Sequence, residues 1–323
     1  MNWITRWKKI GIKVKQILKK QPGRQEATDW KNCPQCKKIS YKPDLFNSSY
    51  ICECSYHFDF PPKLRLDSLF DSGYEIIEAP KNINPDPLNF EVKDGAREGY
   101  KYMDKIKKYR KVTGQETALM CASGNISNLS AVVVCFNPKF GGGRFGPAEN
   151  EYFLKAANFA IQKKVSIWIV IYQSSGIDVH TGVTGLAGMT KSIIAMNKIK
   201  KNNIPTFCVA ARATAGGTYA SSFFMHDLII IESKCVENLL FSGKRVTANI
   251  LKGTDQIPDD FGTGPGVMKS GLADITLESR KELKDTITKL ANIILKKEEL
   301  KTKNVEEANG DQEDFKKTAS TAS

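Results

Sequence analysis

Long apolar runs are missing from this sequence. The strongest, VSIWIVIY at 165–172, falls well short of the roughly 20 residues needed to cross a bilayer, so no transmembrane helix is expected. The start, MNWITRWKKIGIKVKQILKK, has neither the uninterrupted apolar core nor the small-residue cleavage site of a secretory signal. The chain is therefore expected to stay in a reducing compartment. Histidine is scarce, at three residues in 323, and no Ser-His-Asp set stands out. Neither a P-loop nor a dinucleotide fingerprint occurs, which removes two familiar phosphate cradles.

What is present is an ordinary globular composition, 41% hydrophobic and 26% charged, with an excess of positive charge, +13. That excess favours anionic partners such as nucleic acid, anionic lipid, phosphorylated cofactors or an acidic protein, and does not choose among them. Residues 1–26 begin with Trp3, Trp7, Ile10, Val14 and Ile17 at helical steps among lysines. This is a basic amphipathic segment, to be packed on its own protein or docked on a partner, and Gln21-Pro22-Gly23 ends it.

Eight cysteines divide into two groups. Cys121, Cys135, Cys208 and Cys235 lie singly in apolar stretches and read as small hydrophobes. Cys33, Cys36, Cys52 and Cys54 crowd into a module at 27–60, where two close pairs separated by a loop can offer four thiolates to one tetrahedral zinc. The second pair encloses one residue instead of two. Either a distorted four-thiolate site forms, or His57 replaces Cys54, or the module has lost its metal. A closed four-ligand site would be structural.

Residues 61–300 read as the main domain. A helical, charged lead-in over 64–112 is interrupted by PKNINPDP. Strand-like runs at 130–136, 165–172, 204–211 and 228–233 then alternate with helical ones at 149–164, 184–201 and after Gly217, which predicts stacked βα units. A further helix is expected over 279–300, and the polar residues 301–323 are expected to be disordered. Glycine-bearing loops follow successive strands: FGGGRFG with Gly142 and Gly143, SSGID with Ser175 and Gly176, RATAGG with Gly216 and Gly217, and FSGKR with Lys244 and Arg245. A Gly pair between a strand and a helix is either a tight turn or a place where backbone N–H groups face a substrate oxygen.

The order and spacing of several pieces carry a resemblance over roughly 1–292. They are the NWI start, the cysteine ribbon, RLDSLFDSGYEII, DGAREGYKYMDKIKKYRKVTGQETAL, FGGGRFG, TAGGTYASSFFMHDLIII and LLFSGKRV. Together they resemble the carboxyltransferase β subunits of bacterial and plastid multi-subunit acetyl-CoA carboxylases, within the crotonase-like superfamily. The resemblance implies an α/β, crotonase/ClpP-like spiral fold of ββα units behind a zinc-ribbon module. It implies a separate α subunit in an α2β2 heterotetramer, with biotin carboxylase and biotin carboxyl carrier protein as further partners. Carboxyl transfer would run from carboxybiotin to acetyl-CoA, giving malonyl-CoA for fatty-acid synthesis. Nucleotide (ATP) binding is also implied, although the chain carries no P-loop of its own.

By the same resemblance Gly216 and Gly217 form one oxyanion hole, Ser175 and Gly176 belong to a second loop, and Gly142, Gly143, Lys244 and Arg245 contact CoA or biotin. Where the family usually has Ser-Gly-Gly-Ala-Arg, this chain has Ser174-Ser175-Gly176-Ile177-Asp178. The charge reversal at Asp178 is expected to alter an interface or pocket rim more readily than to create an acid/base pair with His180. His226 is expected in the core or on the surface. Two rival functions stand beside the first. One is a divergent or inhibitor-insensitive relative with altered acyl-CoA chemistry. The other is a basic zinc-ribbon protein that binds nucleic acid.

Overall fold

The computed structural model describes residues 30–92, 99–234, 236–251, 253 and 256–296. The amphipathic segment and the C-terminal tail anticipated from the sequence lie outside the described residues, as do Cys235 and the side chains of Lys244 and Arg245. The chain divides into two units between Phe58 and Asp59. No helix among the described residues is long and apolar enough to cross a membrane.

The smaller unit holds an antiparallel pair, β1 (Trp30–Asn32) with β2 (Ile39–Tyr41), and a one-turn helix, Lys42–Asn47, opened by Pro43. An isolated bridge joins Ile51 to His57. Its core is small, Cys33, Leu45, Cys52 and Phe58, which is too little apolar burial to hold so short a segment without help.

The larger unit is built on one mixed sheet. Its strands are β3 (Tyr74–Ile77), β6 (Leu119–Ile126), β7 (Leu129–Phe136), β9 (Ile167–Ser174), β11 (Thr206–Ala215), β12 (Leu228–Ile231), β13 (Leu239–Leu240) and β14 (Ile275–Thr276). The order across the sheet is β14-β12-β11-β9-β7-β6-β3, with β13 added on β11. Two small ladders lie outside it, β4 (Glu91–Val92) with β5 (Tyr100–Lys101), and β8 (Arg144–Phe145) with β10 (Gly176–Ile177).

The four strand-like runs do form stacked parallel units, as β7, β9, β11 and β12, but the sheet also carries β3 and β6, which the sequence reading did not anticipate. From β7 through β14 the pairing is parallel, whereas β3, β6 and β7 are antiparallel. The reason is local: Ser127 and Asn128 both take left-handed φ, +48° and +67°, and close a two-residue hairpin between β6 and β7. The lead-in at 64–112 is likewise less helical than expected. It contains helix Pro62–Leu69, edge strand β3, the β4–β5 ladder and helix Tyr102–Thr113.

The central strands are buried on both faces, which explains their unbroken apolar runs. In β7, Val132, Val134 and Phe136 face one layer while Ala131, Val133 and Cys135 face the other. The first layer packs helices Pro147–Gln162 and Gly182–Lys201, and the second packs helices Pro62–Leu69 and 283–296. Because β7, β9 and β11 are parallel, their C-terminal ends open on one edge. In α/β sheets that edge is where sites form.

Candidate active site

Three of the glycine loops meet at that edge. The Ser175 N–H donates to Gly142 O at 2.8 Å, and Ser174 Oγ donates to Gly143 O at 2.6 Å, which ties the first loop to the second. Gly143 has φ +71°, and any Cβ there would overlap the Gln173 carbonyl oxygen, so only glycine lets these backbones approach. The second loop rests on the third: a methyl at Gly176 would lie 2.8 Å from Ala215 O and 3.3 Å from Gly216 Cα.

The third loop begins with an irregularity. Ala210 pairs Tyr172 and Thr214 pairs Ser174, so β11 spends four residues where β9 spends two, and Ala211-Arg212-Ala213 bulge out. Thr214 and Ala215 then pair Leu239 and Leu240 of β13, bringing the Phe241-Ser242-Gly243 segment beside the turn. Helix Gly216–Ala220 starts at once, with Gly216 at φ +61°.

The geometry separates the candidate donors. The Gly216 N–H is committed to Phe241 O at 3.1 Å, the Ser175 N–H to Gly142 O, and the Gly176 N–H to Ser174 Oγ at 3.1 Å. Gly217 sits in the first helical turn, where backbone N–H groups have no intrahelical acceptor. Its missing side chain matters sterically too, because a Cβ would run into Ile177 and come within 3.0 Å of Met189 Sδ. Gly216 and Gly176 thus supply close packing, and Gly217 supplies the available amide. A cavity of about 390 Å³ borders this helix, lined by Tyr219, Leu240, Phe261, Gly262 and Val267 among others.

Asp178 is not on a rim. It is buried, and its Oδ2 accepts from Arg144 Nη1 at 2.8 Å and from the Tyr102 hydroxyl at 2.6 Å. Its Oδ1 meets His180 Nδ1 at 2.9 Å and the His180 N–H at 3.1 Å. Arg144, also buried, reaches Glu149 Oε2 at 3.2 Å on its other side. Burial opposes its charge, but Glu149, Tyr102 and Asp178 outweigh that and hold the guanidinium protonated. The His180 ring stacks on Tyr102 at 4.0 Å, and its Nε2 faces the Tyr100 hydroxyl at 3.4 Å. Asp178 and His180 do form a hydrogen-bonded pair, but one turned toward tyrosines.

Sequence reading missed Arg144, Glu149 and Tyr102 as parts of one cluster. The available signals were an arginine inside a glycine loop and a glutamate three residues into a Gly-Pro-initiated helix, where it accepts the N-terminal amide of Gly146 at 3.0 Å. His226 lies in the core. Burial pushes its imidazole down to about 4, and its Nδ1–H donates to Phe223 O at 3.1 Å.

In the smaller unit the sulfurs of Cys33, Cys36, Cys52 and Cys54 all lie within 4.8 Å of one another. Cys33 Sγ is 3.6 Å from Cys54 Sγ, and Cys36 Sγ is 3.6 Å from Cys52 Sγ. Tetrahedral thiolates about 2.3 Å from one zinc would be about 3.8 Å apart, so the set fits that ion. His57 is buried but is not among the converging ligand atoms. The single-residue spacing of the second pair is therefore compatible with four thiolates.

The family model for the carboxyl transferase domain matches residues 101–321. The chain belongs to the carboxyl transferase family. A relative from Pelagibacter ubique (strain HTCC1062), an acetyl-coenzyme A carboxylase carboxyl transferase subunit beta, is 32% identical over 99% of this chain and 100% of its own length. The corresponding subunit of Agrobacterium fabrum (strain C58 / ATCC 33970) is 29% identical over 92% of this chain and 95% of its own. Among solved structures, transcarboxylase 12S with hydrolyzed methylmalonyl-coenzyme A bound has a TM-score of 0.55 at 18% identity. It aligns with 72% of this chain, which spans 41% of it. A Pseudomonas malonate decarboxylase hetero-tetramer in complex with malonate has a TM-score of 0.53 at 17% identity, covering 72% of this chain and 81% of that one. These two similarities show the fold, a mixed α/β architecture shared with those two enzymes. Neither the described residues nor these relatives support ATP, nucleotide or nucleic-acid binding by this chain.

Proposed function

We propose that this carboxyltransferase is the β half of an acetyl-CoA carboxylase, making malonyl-CoA for fatty-acid synthesis at a site completed by an α subunit. The observation that carries the reading is the Gly217 amide, left available where three glycine loops pack at the ends of β7, β9 and β11. Carboxybiotin, delivered on its carrier protein, would supply the carboxyl group and accept the proton lost by the acetyl methyl. As the acetyl carbon gives up that proton and bonds to CO2, negative charge gathers on the thioester oxygen. A fixed N–H aimed at that oxygen stabilises the transition state more than the ground state. No side-chain base is required of this chain, which accords with His180 facing Tyr100 and His226 being buried.

Gly142, Gly143, Ser175, Gly176 and Gly216 serve in this account as the packing that fixes Gly217. Lys244 and Arg245 follow the segment that caps Gly216 and are assigned to CoA phosphate contact by their place in the chain. Cys33, Cys36, Cys52 and Cys54 would hold a structural zinc whose binding energy supplements the small core around Leu45 and Phe58. The compartment that accords with free cysteines is a reducing one, such as the cytoplasm or plastid stroma.

The test is to co-purify the chain with its α subunit and measure biotin-dependent decarboxylation of malonyl-CoA to acetyl-CoA. Turnover by the assembled complex is expected. A well-formed complex without activity would point instead to a relative with altered acyl-CoA chemistry.

A further inference from the structure

The β8–β10 ladder is only two residue pairs long, Gly176 with Arg144 and Ile177 with Phe145. So short a ladder has little stability of its own. Its side chains close it: Arg144 leaves β8 and meets Asp178, the first residue after β10, while the Asp178 N–H donates to Phe145 O at 3.2 Å. Every acceptor position on Asp178 is occupied. Its carbonyl takes the Thr181 N–H at 3.2 Å and the Thr181 hydroxyl at 2.7 Å, and its carboxylate takes Arg144, Tyr102, and the backbone N–H and ring Nδ1 of His180. What this clamp holds is Ile177, the side chain in the space that a Cβ on Gly217 would need, and Gly176, whose backbone touches Gly216.

We propose that Asp178 is a positioning residue for carboxyl transfer: through Arg144 it fixes β10, and through Ile177 it fixes the Gly217 amide. The inference rests on the reading of Gly217 as the oxyanion donor. Displacement of such a donor by a fraction of an ångström lowers turnover without weakening substrate binding in proportion.

Charge counting identifies the variant to use. Arg144 is buried between two carboxylates, Asp178 and Glu149, and Glu149 also accepts the amides of Ala118 at 2.9 Å and Gly146 at 3.0 Å. Asp178→Asn leaves one guanidinium facing one carboxylate, a balanced pair, so the domain is expected to fold at a lower stability, the new amide NH2 facing donors that the carboxylate accepted. Arg144→Gln would strand two buried carboxylates and is unsuitable.

The experiment is steady-state malonyl-CoA decarboxylation by α-paired complexes carrying Asp178→Asn, Tyr102→Phe, both together, or Gly217→Val. Asp178→Asn is expected to lower kcat about tenfold or more with KM within about twofold, in a complex that assembles normally. Tyr102→Phe removes one donor to the same carboxylate at nearly constant volume and should lower kcat about threefold. The double variant should be no worse than Asp178→Asn alone, because both act through one group. A purely structural role would reduce the folded fraction and leave kcat per site unchanged. If Asp178→Asn does not fold, Tyr102→Phe decides alone.

Wild-type kcat in the folded Asp178→Asn complex, or in Tyr102→Phe where that variant decides, overturns the proposal. Wild-type turnover by Gly217→Val overturns the donor reading beneath it. Loss of turnover in Gly217→Val with none in Asp178→Asn removes this inference only.

Discussion

Two buried ion clusters in the larger unit have opposite compositions. Near the glycine loops one guanidinium, Arg144, lies between the carboxylates of Asp178 and Glu149. In the apolar layer below the sheet one carboxylate, Glu232, lies between Arg65 and Arg280, and both guanidiniums sit over the Phe60 ring at 5.2 and 5.1 Å. The second cluster ties helix Pro62–Leu69 and the 280s to the end of β12, elements distant in sequence. The first joins two loops that carry the site. Similar chemistry thus serves as scaffold in one place and as alignment in the other, and the two roles respond differently to substitution.

The largest effect is expected from Glu232→Gln. It leaves Arg65 and Arg280 buried without their shared carboxylate, a change that typically destabilises by about 3–5 kcal/mol. Denaturant unfolding should show that loss, while kcat per folded complex stays near wild type. Asp178→Asn should invert the pattern, with a stability loss smaller than that of Glu232→Gln and a large fall in kcat per folded complex. If both variants behave alike, the distinction between scaffold and alignment is lost.

A pH scan sharpens the scaffold side. The folded-state value of His226 is held near 4 by burial, against an ordinary 6.5, so the unfolded chain binds the extra proton between those limits. Its contribution is fully present above pH 6.5 and is lost as pH falls toward 4, by about 3 kcal/mol at 1.36 kcal/mol per unit. His226→Phe should flatten that part of the stability profile. An unchanged profile would place the acid sensitivity elsewhere.

The smallest effect on the larger unit is expected from metal removal. Freshly purified protein should contain about one zinc per chain, and chelation should unfold residues 30–58 while leaving the sheet's unfolding transition in place. Metal content well below one per chain would contradict the four-thiolate assignment.

Much of this was legible in the sequence because the physics was local. The runs at 130–136, 165–172 and 204–211 announced strands buried on both faces, and the glycines after each marked where backbones would touch. Strand β6, LMCASGNI, was not legible, because its small residues and glycine lack β-branched character and its place depends on the hairpin at Ser127-Asn128. Asp178 was misread as a rim residue, since a charge in a loop is normally solvated and only the fold brings Arg144 and Tyr102 to it. The Gly216-Gly217 pair was found, but the division of labour within it was not. That depends on Phe241, 25 residues later, taking the Gly216 N–H.

The most direct test of the central claim is the turnover of the α-paired complex with Gly217→Val. Valine keeps the backbone N–H, but its Cβ would collide with Ile177 and press on Met189, moving the amide off the thioester oxygen; an oxyanion donor out of place typically lowers kcat by about a hundredfold or more. A complex that assembles normally yet decarboxylates malonyl-CoA at less than about 1% of the wild-type rate is the predicted result. Turnover near wild type would contradict the account.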